Sequence, residues 1–252
     1  MKKEILVNPN YSQFKDFIEQ IPDNFDTLGV PLRLKRNEIR LVEVNGVSLV
    51  IKYFRHLTIA NRFIYAHIRK SKSRRAYEHT MFLLSKEISS PEAVAYINYY
   101  KNGMLYKSFY VCLHTNYKSI REFLKLPLSE SKEALEAFAR FSYKLHKNGI
   151  FHKDYSTGNI LYQLSGNSYD FCLIDNNRMK FCRYSFLKGM RNMKRLDIQS
   201  ECMGIIAAEY ARVANVNEIK TLNAMTIYRL QHMDRKSLKK KIKSLKKLMP
   251  GK

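Results

Sequence analysis

The sequence predicts an α+β chain, with a β-rich first part that carries one helix and a helix-rich second part that carries one small hairpin. Three observations support this. Asn45-Gly46 lies between the apolar runs 40–44 and 47–54, which is the strongest short-range hairpin signal. Leu135, Phe138, Phe141 and Leu145 recur at helical spacing and mark a buried helix stripe. Between the two, the patterning changes over residues 117–128, which places a boundary there and divides the chain into 1–117 and 118–252.

Each element has its own reason. Residues 11–20 read as a helix. The hairpin follows, with strands over 40–44 and 47–54 turning at Asn45-Gly46, the pair best suited to two positive φ angles. A helix is expected over 73–86, with Tyr77, Met81 and Leu84 on one side. Strands over 93–99 and 105–113 are joined at Lys101-Asn102-Gly103. In the second part Ser129 is the expected N-cap, with Glu130 and Glu133 in the first turn, where the helix dipole favours acids. Gly149 closes that helix. A short strand at Ile150-Phe151, a polar loop, and two strands over 160–162 and 171–174 around Gly166-Asn167 come next. From about Met190 the chain reads mainly as helix.

Composition narrows the function. The chain has 252 residues, 45% of them hydrophobic and 27% charged, a globular mix. No apolar run reaches the ~18 residues of a membrane span. The start, Met1 to Asn10, holds only a short apolar triplet before Asn8-Pro9-Asn10, too brief for a signal peptide, so a cytoplasmic chain is expected. The four cysteines form no CxxC pair, which argues against a zinc site and fits a reducing compartment.

The formal charge is +23, and it calls for an anionic partner. Residues 235–252 carry nine Lys and Arg and no acid, yet removing them still leaves +14. A second cluster lies at Arg69, Lys70, Lys72, Arg74 and Arg75; a third lies at Lys180, Arg183, Lys188, Arg191, Lys194 and Arg195. In the tail, Leu238, Ile242, Leu245 and Leu248 recur at helical spacing among lysines. That pattern suits a basic amphipathic helix lying on an anionic membrane, or equally a terminal helix packing its leucines on the body. No RNA-binding or helix-turn-helix signature accompanies the charge, which ranks nucleic acid below a membrane surface or an acidic substrate.

The chemistry is concentrated in residues 151–161, FHKDYSTGNIL, which hold the pattern His-x-Asp-x-x-x-x-Asn. It follows the capped helix and precedes an apolar hairpin that ends in Leu173-Ile174-Asp175. The residue types suit phosphoryl transfer, a reaction catalysed mostly by positioning and charge neutralisation. Asp154 can orient or deprotonate an acceptor hydroxyl. Asn159 and Asp175 are hard oxygen donors of the kind that bind Mg²⁺. His152 is read mainly as a residue that holds the loop by hydrogen bonds.

These motifs resemble the protein-kinase-like superfamily, and the resemblance spans nearly the whole chain. It implies a bilobal fold: an N-lobe over 1–117 that positions ATP and a C-lobe over 118–252 with the catalytic loop and metal site. It implies ATP and Mg²⁺ as cofactors, Asp154 and His152 as catalytic-loop residues, and Asn159 and Asp175 as metal ligands. Lys52, ending Val50-Ile51-Lys52, sits where these enzymes place the phosphate-contacting lysine, with Glu78 on the next helix as its partner. The Gly-rich phosphate loop is lacking; only Thr27 and Gly29 stand in its place, before Asn45.

Departures narrow the resemblance further. Ser156 stands two residues after Asp154, where Ser/Thr protein kinases usually carry Lys, and Gly158 before Asn159 is typical of small-molecule kinases. Asp170-Phe171-Cys172 imitates the Asp-Phe-Gly motif but opens an apolar strand, whereas Asp175 ends it, so Asp175 is the preferred ligand. The Ile-Asp-x-x-Arg element at 174–178 and the segment Asn192-Met193-Lys194-Arg195-Leu196 are similar to the lipopolysaccharide kinases that phosphorylate Kdo or heptose, and no Ala-Pro-Glu activation segment is found. This implies a lipid A–core saccharide acceptor and a peripheral place on the cytoplasmic face of an inner membrane. Other acceptors of the same fold, a protein or a soluble small molecule, and a non-catalytic membrane adaptor stand as alternatives. Arg178 is read as a loop-holding partner of Asp154 or Asp175, and Asp197 as either a helix N-cap or a loop anchor.

Overall fold

The computed structural model describes residues 2–34 and 37–248; for residue 34 and residues 239–248 it describes the backbone alone. The chain forms two compact units. The first comprises Met1–Tyr117 and Cys172–Arg178, the second Lys118–Phe171 and Met179–Lys252. The fold is α+β, with a β-sheet N-terminal region and a helical C-terminal region.

In the first unit the elements run β1 (Lys2–Val7), α1 (Lys15–Asn24), β2 (Val30–Leu34), β3 (Glu38–Val44), β4 (Val47–Tyr53), α2 (Ile59–His67), α3 (Lys72–Leu84), β5 (Ala93–Lys101) and β6 (Met104–Leu113). The six strands form one antiparallel sheet in the order β1-β5-β6-β4-β3-β2. Strand alternation sorts its side chains onto two faces. Leu49 and Ile51 face Phe14, Ile18, Ile21 and Phe25 of the α1 region. Val50, Tyr96, Tyr110 and Cys112 face Ala76 and Tyr77 of α3. Lys52 shares the parity of Val50 and therefore lies on the α3 face. Each large apolar side chain buried this way contributes roughly 1.5–3 kcal/mol.

Both predicted hairpins form. Asn45 (φ 52°) and Gly46 (φ 75°) turn β3 into β4, and Asn102 (φ 50°) and Gly103 (φ 70°) turn β5 into β6. The two positive angles match the right-handed strand twist, which explains the Asn-Gly pair at both turns. The first helix begins later than the sequence pattern suggests. Pro9–Phe14 is a 3-10 turn, and α1 then runs to Asn24. Three elements carried no readable signal. β1 is a lysine-rich edge strand, β2 is mostly exposed, and α2 buries only Tyr65 and leaves Ile59 and Phe63 in solvent. Periodicity reports a buried face, and these elements have almost none.

In the second unit the elements are β7 (Lys118–Ser119), α4 (Leu128–Lys147), β8 (Ile150–His152), β9 (Ile160–Ser165), β10 (Ser168–Leu173, whose last two residues belong to the first unit), β11 (Met179–Phe181), α5 (Phe186–Met193), α6 (Ser200–Ala214) and α7 (Glu218–Leu248). Leu135 and Phe138 of α4 are buried, with Phe138 stacked on Tyr155 at 6.0 Å. Ser129 is not the cap: Pro127 (φ −53°, ψ 152°) already turns the chain into the helix, which starts at Leu128. Gly149 (φ 71°) does close α4, and a side chain there would collide with the Cys182 carbonyl, 2.6 Å from its Cβ position. Asp197 is exposed and is not the cap of α6, whose N-cap is Gln199. Leu238 is 58% exposed, and the side chains of Ile242, Leu245 and Leu248 lie outside the described residues.

His146, near the end of α4, ties three elements together. It stacks on Phe151 of β8 at 5.4 Å, and its Nδ1 lies 3.1 Å from the Tyr210 hydroxyl of α6. Its Nε2 is buried without a partner. Burial pushes the imidazole down to about 3, so the folded chain holds it neutral. Unfolded, the ring regains a pKa near 6.5 and binds protons that the folded ring refuses. Stability is therefore full above about pH 6.5 and falls as pH drops from 6.5 toward 3, by up to ~1.4 kcal/mol per pH unit. Thermal unfolding across that range should show this slope, and His146→Gln should flatten it; an unchanged slope in the variant would assign the acid sensitivity elsewhere.

Candidate active site

Within the first unit the structure brings Lys52 and Asp175 together. The Lys52 ammonium donates to Asp175 Oδ1, both groups being mostly shielded from solvent. Asn177 Nδ2 donates to the same oxygen at 2.5 Å. Asp175 is itself left-handed (φ 61°), a conformation Asp tolerates better than most residues. The segment that presents it is anchored to α3 and the turn after it. Leu173 N donates to Ser89 O at 2.9 Å, and Asn176 Nδ2 to Thr80 Oγ1 at 3.0 Å and Ser90 Oγ at 2.7 Å. The His79 ring lies 2.7 Å from the Asn176 carbonyl. Asn176 is thus the structural residue of this segment, and Asn177 the one that orients the carboxylate.

Glu78 does not pair with Lys52. It accepts from Lys70 Nζ at 2.8 Å and from Arg74 Nε at 2.9 Å. The reason is helical geometry: Arg74 is one turn before Glu78 on α3, and Arg74 also reaches Glu4 of β1 at 3.1 Å. Burial works to raise the Glu78 carboxyl, but the hydrogen bonds from Arg74 and Lys70 outweigh it and hold the group below its ordinary value.

Thr27 and Gly29 have packing roles. Thr27 Oγ1 donates to Asn24 O at 2.9 Å and ends a 3-10 turn. Gly29 (φ 46°) lies so close to β3 that a Cβ would fall 2.0 Å from the Leu41 carbonyl oxygen. Both precede β2, whereas the β2–β3 connection follows Leu34, where residues 35 and 36 lie outside the described residues. The structure therefore does not place Thr27 and Gly29 in a strand-connecting turn.

Within the second unit, residues 152–159 form a tightly pinned loop. His152 is buried, and its Nδ1 accepts the Asp154 backbone N–H at 3.0 Å. That supports the loop-holding role read from the sequence. Tyr155 is fully buried, with its hydroxyl 2.8 Å from Ser142 Oγ. Asn159 Nδ2 donates to the Asp154 carbonyl at 2.9 Å, which directs the amide nitrogen inward and leaves Oδ1 as the donor atom for a cation. The β7 end holds the far side: Ser119 Oγ donates to Thr157 O at 3.0 Å and Arg121 Nε to Thr157 Oγ1 at 3.1 Å. Gly158 packs under that guanidinium, 3.1 Å from where a Cβ would stand.

The Asp154 carboxylate is held by a residue that sequence reasoning did not assign. Arg195 Nη1 donates to Asp154 Oδ1 at 2.5 Å. Three residues earlier, Asn192 Nδ2 donates to the His152 carbonyl at 3.2 Å. Asn192 lies in the last turn of α5 and Arg195 two residues past its end, so the close of α5 and the turn after it clamp the loop together. The signal was present in the segment Asn192-Met193-Lys194-Arg195-Leu196, which reads as a motif but not as a loop clamp. Arg178, read as a partner of Asp154 or Asp175, ends the 3-10 turn that follows Asp175. Asp154 also lines a pocket of about 680 Å³ whose walls include Arg191, Lys194, Arg195, Arg235 and Lys236.

Asp175 in the first unit carries a carboxylate and Asn159 in the second an amide carbonyl, each a hard oxygen of the type that suits Mg²⁺. Among the described residues no three His, Cys, Asp or Glu side chains gather as a self-sufficient metal site.

Comparison with known proteins gives a consistent picture. The sequence model of the lipopolysaccharide kinase (Kdo/WaaP) family matches residues 40–216. A solved structure described as WaaP in complex with acyl carrier protein is similar to this chain with a TM-score of 0.64 and 16% identity, over 94% of this chain and 98% of that one. At that identity the likeness is one of fold. No curated protein matches the chain.

Proposed function

The chain belongs to the lipopolysaccharide kinase (Kdo/WaaP) family and is a phosphotransferase, and from that premise we propose that it moves the γ-phosphoryl group of ATP to a hydroxyl of a Kdo or heptose sugar of the lipopolysaccharide core. The observation that carries the reading is the pinned loop 152–159, which presents Asp154 at the edge of a strongly basic pocket. Asp154 orients the acceptor hydroxyl and takes its proton as the bond to phosphorus forms. Arg195 holds that carboxylate in place. Lys52 contacts the nucleotide phosphates, and Asp175 and Asn159 hold Mg²⁺. Mg²⁺, when held there, would supply positive charge against the phosphate oxygens. His152 keeps the loop in shape through the Asp154 N–H.

The surplus of positive charge belongs to the same reading. A core saccharide is acidic, and the membrane face that carries it is anionic. No helix among the described residues is long and apolar enough to cross a membrane. Contact with the inner-membrane surface would run through α7, where Ile227, Leu230, Met233 and Leu238 are exposed on a helix that continues into the lysine-rich tail.

The test is acceptor screening with γ-labelled ATP and Mg²⁺. Label should pass to a lipid A–core saccharide containing Kdo or heptose, and not to an aminoglycoside or a generic protein substrate. Exclusive labelling of either of the latter would replace this reading with the corresponding kinase. No thermal stabilisation by Mg·ATP, together with no transfer, would leave a non-catalytic membrane adaptor.

A further inference from the structure

The second cluster of cations, at Arg69 to Arg75, has no part in the proposed reaction. It belongs to a longer stretch: residues 55–77 carry seven Lys and Arg and no acid. The stretch holds α2, which is capped by Thr58 and buries Tyr65. Much of its apolar surface stands in solvent. Ile59 and Ile68 are each 73% exposed and Phe63 is 50% exposed, with Ile59 and Phe63 one turn apart on the same side. No large apolar side chain among the described residues is more exposed than those two isoleucines. The β5–β6 hairpin extends the patch. The His67 ring packs on Phe63 with centroids 4.8 Å apart, and its Nε2 lies 2.7 Å from the Gly103 carbonyl, next to exposed Met104. Arg62 and Lys101 each lie 5.9 Å from the ring of Tyr106, which is also exposed. Lys70 and Arg74 are taken up by Glu78 and Glu4, and Arg55 by Asp26 and Glu38, but Arg62, Arg69 and Lys101 have no acidic partner among the described residues.

A clustered apolar patch left in water marks an interaction surface. Its chemistry selects the partner. Apolar side chains that stand clear of the surface, flanked by long cations and free of acids, match the boundary of an anionic bilayer. There the apolar groups leave water while the cations stay with the lipid phosphates. Nucleic acid would use the cations but has no use for two aliphatic isoleucines. A protein partner would find nine helical residues and one turn, short of the area a stable interface buries. We propose that α2 and the β5–β6 turn form a lipid-contacting surface on the first unit, in which Ile59, Phe63 and Ile68 enter the headgroup boundary and Arg62, Arg69 and Lys101 contact lipid phosphates. This surface is distinct from the α7 contact described above, and it stands whether or not the acceptor is a saccharide.

The chain contains no tryptophan, so Phe63→Trp in the full chain supplies a single fluorescent reporter on α2 itself. With vesicles of phosphatidylcholine and phosphatidylglycerol its emission should shift to shorter wavelength and be quenched by brominated acyl chains. Vesicles of phosphatidylcholine alone should do neither. Arg69→Gln combined with Lys101→Gln should lower partition onto the anionic vesicles at least about tenfold, and high salt should weaken it in the wild type. The charge-matched pair Lys125→Gln and Lys147→Gln, on the second unit, should lower it much less. Tyr65, the buried contact of α2, is untouched in every variant, so melting temperatures should stay near that of the wild type. An unshifted reporter on protein that sediments with the vesicles would overturn the proposal and leave the contact to α7. No sedimentation at all would overturn it as well. Equal losses in the two charge pairs would mean a general attraction without a site, and would also overturn it. A reporter that responds to oligouridylate or polyglutamate but not to vesicles would give the surface to nucleic acid or to an acidic protein instead. None of these measurements uses phosphoryl transfer, so failure here leaves the kinase reading in place.

Discussion

Replacing Asp154 with alanine is expected to lower kcat by about 10²–10⁴-fold, the range typical of a lost general base, with KM for ATP nearly unchanged. The acceptor hydroxyl is a poor nucleophile, and in the proposed reaction Asp154 both aims it and receives its proton. The loop should survive the substitution. Its supports are the Asp154 N–H to His152 Nδ1, the Asn159 amide to the Asp154 carbonyl, and buried Tyr155, none of which uses the carboxylate. Melting temperature should therefore change little, although Arg195 loses its partner. Asp154→Asn keeps the shape, removes the base, and should fail to a similar degree. Arg195→Met should lower kcat less than either, because it disturbs the carboxylate without removing it. Initial-rate kinetics on a competent acceptor decide the matter. Transfer within about tenfold of wild type in Asp154→Ala would exclude a role for Asp154 in the chemical step.

Lys52→Met should produce the second large effect, a loss of about 10²–10³-fold in kcat/KM for ATP, comparable to losing one preorganised donor to a developing charge. The ammonium sits on the α3 face of β4 against Asp175, with Phe54 beneath it at 5.3 Å. Without it, Asp175 retains Asn177 but loses the Lys52 ammonium. Lys52→Arg should not rescue activity, since a planar guanidinium cannot replace a compact ammonium in a mostly buried position. Differential scanning fluorimetry supplies the independent readout. At a nucleotide concentration of ~100 Kd the wild type gains about 2.7 kcal/mol, and the variant should gain much less. Full nucleotide stabilisation in Lys52→Met would remove Lys52 from the phosphate contacts.

Much of the site could be read from residue order because its signals are local. The His-x-Asp-x-x-x-x-Asn spacing is the spacing of a loop that closes on itself, and each closing bond joins residues no more than five apart: Asp154 N to His152 Nδ1, and Asn159 Nδ2 to Asp154 O. The Asn-Gly hairpins are equally local, since two positive φ angles suffice to specify them. Lys52 was read from its place at the end of the apolar run Val50-Ile51-Lys52, where the resemblance puts the phosphate-contacting lysine.

Partner choice was not local, and there the sequence reading went astray or stayed silent. Glu78 is on the expected helix, but Arg74 one turn away and Lys70 take its carboxylate. Gly29 looked like a phosphate-loop glycine, yet its missing Cβ makes room for the β3 backbone. Arg195 reaches Asp154 across 41 residues, and Asn176 reaches Thr80 across 96. Periodicity cannot report such contacts, because they depend on which faces meet after packing.

The +23 charge shows the same division. Composition alone pointed to an anionic partner, since a net charge this far from zero sets up a field that draws anions in. Which cations stand together was decided by the packing of α5 against α7, which gathers Arg191, Lys194, Arg195, Arg235 and Lys236 beside Asp154. Charge adds along a sequence, but a binding site depends on distance, and distance between remote residues exists only once the chain has folded.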